Sequence, residues 1–168
     1  MINKFKYEKG DIILVKGNSI ISKMISSFTK SEITHVACAT GLDDMIIESD
    51  IGGVQYQLLN DKYQNIDYLV YRYNGNNKIP DKAVDFMESK LNKGYDYLGL
   101  FGIAAYLLHI KKKNNWDNKN KYWCSELVAD GYLFAGADLP VNKDTWKVSP
   151  GDFLKFEDFK KVYEHKVK

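Results

Sequence analysis

The chain has 168 residues, 45% of them apolar and 27% charged, with 24 Lys and Arg set against 22 Asp and Glu for a net charge of +2. That length suits one domain with a sizeable buried core and is short for two, so residues 1–168 are read as a single domain. The charges are scattered with no basic stripe, which argues against nucleic acid as a partner. The two cysteines are too few for a disulfide framework. The first ten residues carry charge but no following apolar run or small-residue cleavage site, so no secretory signal is read and a cytoplasmic location, with both thiols reduced, is the expectation.

Asp11 to Lys16 is β-branched and apolar between Gly10 and Gly17, which predicts a strand. Ile20, Ile21, Met24, Ile25 and Phe28 recur at helical spacing, so Ser19 to Phe28 predicts a short amphipathic helix. Ile33 to Thr40 and Met45 to Glu48, separated by Gly41-Leu42-Asp43-Asp44, have the pattern of a hairpin. A further strand pair is expected from Gly53 to Leu58 and Asp67 to Tyr73, with Tyr68, Val70 and Arg72 on one face of the latter and Leu69, Tyr71 and Tyr73 on the other.

From Pro80 the pattern turns helical through Ala83, Phe86, Met87 and Leu91, with Gly94 as the stop. The longest apolar run, Tyr97 to Ile110, is followed by Lys111-Lys112-Lys113, and Asp96 after Tyr95 is placed to cap it. It is too short to cross a bilayer. A buried helix is one reading of it; a substrate lid or a peripheral membrane contact through Leu98 to Lys113 is the other. A polar loop, Asn114 to Lys121, leads to a helix from Cys124 to Gly136 and a tail containing Ser149-Pro150-Gly151-Asp152.

Cys124 stands in Lys121-Tyr122-Trp123-Cys124-Ser125-Glu126-Leu127-Val128, where an aromatic run gives way to helix. A thiol in the first turn meets unpaired backbone N–H groups and the positive end of the helix dipole, and both favour the thiolate. Cys124 also shares a helix face with Leu127, Val128 and Gly131, so a buried core cysteine is the alternative.

A nucleophilic thiolate needs a base and a group to orient that base. Of three histidines, His109 ends the apolar run and His165 lies in a charged tail; both read as solvated or helix-terminal. His35 stands near the start of a strand and shares a face with Ala37 and Ala39, while Val36, Cys38 and Thr40 take the other. Cys38 therefore reads as a core thiol. If Gly41-Leu42 forms a two-residue turn, Thr40 pairs with Asp43 and His35 with Glu48, which brings the carboxylate to the imidazole. Asp50 lies on the same face as Glu48 and is the substitute.

Gly10-Asp11, Thr34-His35-Val36, Glu48, Tyr95-Asp96, Trp123-Cys124-Ser125-Glu126-Leu127-Val128 and Ser149-Pro150-Gly151-Asp152, in that order, resemble the circularly permuted papain-like cysteine hydrolases, in particular the YiiX-like branch of the NlpC-type amidase and endopeptidase superfamily. There the histidine and the polar third residue precede the cysteine, as they do here. The resemblance implies Cys124 as nucleophile, His35 as general base and Glu48 as orienting acid, with Tyr95 near the site. Trp123 and Ser125, beside the thiol, join Tyr95 as candidate substrate-contacting residues.

The fold class expected is α+β, an antiparallel sheet carrying His35 and Glu48 with the Cys124 helix packed across it, in a single permuted papain-like domain. The expected chemistry is hydrolysis of an amide through an acyl-enzyme, with no metal and no cofactor. The resemblance favours a peptide such as a bacterial cell-wall stem peptide. A lipid or thioester acyl hydrolase or acyltransferase is the rival enzyme, so the expected partner is a peptide or acylated substrate. A zinc module built from His35, Glu48 and Cys124 lacks a close-spaced ligand pair, and a non-catalytic binding module is the remaining alternative.

Overall fold

A computed structural model describes residues 5–17, 26–27, 29–95, 121–140 and 144–167. The helix expected over Ser19 to Phe28 lies almost wholly outside these residues. So do Asp96, the apolar run Tyr97 to Ile110, His109 and the lysines that follow.

Six strands form one antiparallel sheet: β1 (Ile12–Val15), β2 (His35–Ala39), β3 (Met45–Asp50), β4 (Gly53–Leu58), β5 (Tyr68–Tyr73) and β8 (Phe159–His165). Their order across the sheet is β4-β3-β2-β1-β5-β8. Two short strands, β6 (Gly94–Tyr95) and β7 (Lys121–Tyr122), pair in parallel beside it. Among the described residues the helices are α1 (Leu59–Tyr63), α2 (Lys78–Glu88) and α3 (Cys124–Ala135), and residues 26, 27 and 29 are also helical.

Alternation along the central strands divides the core in two. Ile12, Leu14, Val36, Cys38 and Ile47 meet Ala83, Val84 and Met87 of α2 and Leu127, Val128 and Tyr132 of α3. Ile13, Val15, Ala37, Ala39 and Ile46 face the other way, against Leu59 and Tyr63 of α1 and Tyr68 and Val70 of β5. β1, β2 and β3 are buried on both faces because helices lie on both, which is why β1 reads as a continuous apolar run. α3 ends where expected, with Gly136 left-handed at its C-terminus.

Several sequence expectations need correction. β4 and β5 are both strands but do not pair with each other: β4 lies beside β3, and β5 crosses to β1 through α1. Alternation reveals that a strand exists, not which neighbour it takes. α2 ends at Glu88, well before Gly94, because Asn92 adopts the left-handed turn conformation and Gly94 belongs to β6. Tyr95 is accordingly a strand residue paired with Tyr122, and Asp96, expected to cap the helix after it, lies outside the described residues.

The C-terminal region is structured. Thr145–Lys147 and Pro150–Lys155 are short 3₁₀ helices, the second closed by a reciprocal cap between Ser149 and Asp152. His165 ends β8, stacked on Tyr68 with ring centroids 4.7 Å apart, rather than lying in a tail.

The hairpin turn is longer than read. Thr40 N–H donates to the Met45 carbonyl at 3.0 Å, so four residues, 41–44, make the loop, and Cys38 and Ala39 pair with Ile47 and Ile46. The register has moved by two residues. A shift of two preserves the face of every side chain, and Glu48 stays on the side of His35.

Candidate active site

β2 places His35 at its open end, with the side chain 15% exposed, and β3 places Glu48 on the same face, fully buried. His35 Nε2 and Glu48 Oε2 are 2.7 Å apart. α3 begins at Cys124, and its N-terminal flanking residue, Trp123, is extended and makes no side-chain bond to the first turn. The Cys124 sulfur lies near enough to the His35 ring to act on its charge. With Nε2 engaged by Glu48, Nδ1 is the ring nitrogen left for the sulfur.

The electrostatics follow from these contacts. Burial works against a charged ring at His35, but the Cys124 sulfur and then Glu48 outweigh it and raise the imidazole to about 10. Burial likewise works against an ionised Glu48, and His35 and Lys62 overcome it, holding the carboxyl down at about 2. Tyr63 donates its hydroxyl to Glu48 Oε2 at 2.7 Å, and Lys62 donates to Glu48 Oε1. The Lys62 ammonium also reaches Asp50 at 2.6 Å.

Cys38 lies on the opposite face of β2, fully buried, and burial pushes its thiol well up. Trp123 is 1% exposed and packs in the helix-side core. Ser125 is fully buried and donates its hydroxyl to the Val148 carbonyl, tying the first turn of α3 to the Thr145–Lys147 segment. Tyr95 reaches the site region through the backbone: it pairs with Tyr122, two residues before Cys124.

Sequence reasoning did not find Lys62, Tyr63 or Ser49. Ser49 donates to the Tyr122 carbonyl at 2.7 Å and so pins β7, and with it the approach to Cys124, onto β3. Nothing in the pattern of residues 59–66 marks Lys62 and Tyr63 as partners of a carboxylate on another strand.

An antiparallel sheet bearing a histidine and a carboxylate, crossed by a helix that opens on a cysteine, is the layout of the papain-like hydrolases. Here the histidine comes before the cysteine in the chain, the permuted order. The chain belongs to the family described as permuted papain-like amidase enzymes, the YaeF/YiiX or C92 family, whose sequence pattern matches residues 6–162.

Among curated proteins it is similar to the probable lipoprotein peptidase YaeF of Escherichia coli (strain K12), 23% identical over 173 residues; the match spans 86% of this chain and 62% of the length of that relative. Among solved structures it is similar to one described as metalloprotein yiiX from Escherichia coli O157:H7, with a TM-score of 0.71, 18% identity and coverage of 96% of this chain and 99% of that one. In the present chain both Glu48 oxygens are taken up by Lys62, Tyr63 and His35. No group of three or more His, Cys, Asp or Glu among the described residues is placed to hold a metal ion. Among the same residues no helix is long and apolar enough to cross a membrane.

Proposed function

We propose that this protein is a cysteine hydrolase of amide bonds in peptides, acting through Cys124, His35 and Glu48 within a single domain over residues 1–168. The observation that carries the reading is the place of His35 between the other two groups: Nε2 is 2.7 Å from Glu48 Oε2, and the Cys124 sulfur at the start of α3 lies within electrostatic range of the ring. A proton moved from sulfur to imidazole leaves a thiolate–imidazolium pair, and the buried Glu48 carboxylate stabilises the imidazolium.

In the forward step the Cys124 thiolate attacks the amide carbonyl carbon. Negative charge builds on the carbonyl oxygen, and backbone N–H groups in the first turn of α3, aided by the helix dipole, stabilise it. His35 then gives its proton to the departing amine as the C–N bond breaks, leaving a thioester on Cys124. Neutral His35 next removes a proton from water, whose oxygen attacks the thioester carbon; the acid departs and the thiolate–imidazolium pair is restored.

No step in this sequence calls on a metal or an organic cofactor. A thiol nucleophile suits a reducing compartment such as the cytoplasm. Cell-wall stem peptides are the substrate class favoured by the resemblance of the sequence to the NlpC-type amidases and endopeptidases, and nucleic acid is not expected as a partner. Trp123 packs in the helix-side core and Ser125 gives its hydroxyl to the Val148 carbonyl, so of the three candidate contact residues the half-buried Tyr95 is the one retained beside the substrate.

Intact-mass measurement after incubation with cell-wall peptides, and separately with acyl lipids, tests the proposal. A peptide-derived adduct on the wild-type protein, absent in Cys124→Ala, is expected. An adduct from acyl lipids alone would move the substrate to the lipid class and bring the Leu98 to Lys113 segment into the account as its binding element. Hydrolysis that survives Cys124→Ala would overturn the mechanism.

A further inference from the structure

Glu48 is fully buried, and side chains from two separate elements close on it. His35 comes from β2; Lys62 and Tyr63 come from α1. The two oxygens have different partners: Oε1 takes Lys62, while Oε2 takes His35 and the Tyr63 hydroxyl. Such a division fixes the rotation of the carboxylate as well as its position.

Lys62 has a second anchor. Its ammonium also holds Asp50, two residues along β3 and on the same face as Glu48. α1 is seated for this purpose by Leu59 and Tyr63, buried against the sheet, and by its start: Leu59 N–H donates to the Asp44 carbonyl at 2.8 Å and the Asn60 amide to Asp44 Oδ2 at 2.7 Å. The loop that sets the β2–β3 register thus also docks the helix that supplies Lys62.

We propose that Lys62 is a positioning residue for the Cys124–His35–Glu48 chemistry: clamped between Glu48 and Asp50, its ammonium keeps the Glu48 carboxylate ionised and turned toward His35. The inference rests on the hydrolase reading above. A buried ion pair adds little net stability by itself, because desolvation offsets the attraction. Its effect here is on the neighbouring titration. Among the described residues, the charged and titratable groups facing this centre are His35 from β2, Glu48 and Asp50 from β3, Lys62 and Tyr63 from α1, and Cys124 from α3. Removing the Lys62 charge makes the Glu48 carboxylate easier to protonate and weakens its support of the His35–Cys124 pair.

The test is the rate at which iodoacetamide alkylates Cys124 in the intact protein, followed between about pH 4 and pH 8, where the rate reports the thiolate fraction. Lys62→Met should move the acidic limb of that profile upward by about one pH unit, the order of effect of a unit charge within a partly buried cluster. Lys62→Arg keeps the charge and should leave the limb near its wild-type position. Asp50→Asn removes a negative charge and should move it downward.

Shifts of opposite sign would not arise from loosened packing. A Lys62→Met profile that overlays the wild type, or an Asp50→Asn limb that stays put or rises, would overturn the inference. If Lys62→Met does not fold, as judged by far-ultraviolet circular dichroism, the Asp50→Asn result decides alone. A wild-type limb that depends on His35 but ignores both substitutions removes Lys62 and spares the hydrolase reading. A wild-type profile indifferent to His35 removes both.

Discussion

Glu48 meets His35 on the diagonal of the β2–β3 pair. The register that joins Cys38 to Ile47 and Ala39 to Ile46, carried on toward the start of β2, would set Glu48 across from Ala37 and Asp50 across from His35, yet it is Glu48 that lies 2.7 Å from His35 Nε2. The small Ala37 side chain leaves room for the longer glutamate to reach along the strand, and Lys62 draws Asp50 aside. Length and neighbours, not direct opposition, choose the carboxylate.

Glu48→Gln therefore keeps a side chain of the same shape that still accepts a hydrogen bond but no longer carries the charge that stabilises the imidazolium. Turnover of a peptide amide should fall by roughly tenfold to a hundredfold, within the range set by acid–base assistance, while circular dichroism stays native. Wild-type turnover in this variant would pass the orienting role to another group.

The same pair makes stability depend on pH in a definite direction. Glu48 is held at about 2 against its ordinary 4.5, so its contribution is fully present above about 4.5 and is lost as pH falls toward 2. His35 is raised from 6.5 to about 10, so its contribution is fully present below about 6.5 and is lost as pH rises toward 10. The contribution is greatest between these limits. For Glu48 it is on the order of 3 kcal/mol; the two are not added because they share the His35–Glu48 contact, and the larger part of the rise at His35 comes from the Cys124 sulfur. Urea unfolding should show the gap between wild type and Glu48→Gln widest near pH 5.5 and closing by about pH 2. A gap that does not change with pH would contradict this assignment.

Gly53 carries a separate prediction about the sheet edge. Its φ is +92°, and a Cβ there would lie 2.2 Å from the Lys93 carbonyl oxygen, which accepts the Val54 N–H at 2.8 Å. Gly53→Ala should cost about 2–4 kcal/mol, combining backbone strain with displacement of that bond. Thermal and urea unfolding measure it. A loss under about 0.5 kcal/mol would mean that the turn relaxes freely.

Much of the fold is legible in local pattern. β1, the β2–β3 hairpin, β4, β5 and the Cys124 helix with its glycine stop all carry their periodicity on the surface of the sequence. β8 does not, for a physical reason: it is an edge strand carrying Lys160 and Lys161, and the pairing with β5 slips between Val70 and Tyr71, which breaks period-two alternation. It reads as a charged tail.

The site divides in the same way. His35 and Glu48 were found on one face because facing survives a two-residue error in register. Lys62 and Tyr63 were missed because their role exists only after α1 folds back over β3, and no local signal encodes that contact. Ser125, chosen for its place beside the thiol, turns inward to Val148.

The activated state of Cys124 is open to one direct measurement. Native protein treated with limiting iodoacetamide near pH 6, then digested and mapped by mass, reports each thiol separately; Cys38, as buried as Cys124 at 0% against 1% exposure but on the face of β2 away from His35, is the internal control. The proposed pairing with His35 predicts alkylation at Cys124, little at Cys38, and slower labelling of Cys124 in His35→Ala. Equal labelling of both cysteines, or labelling of Cys124 that ignores His35, would contradict it.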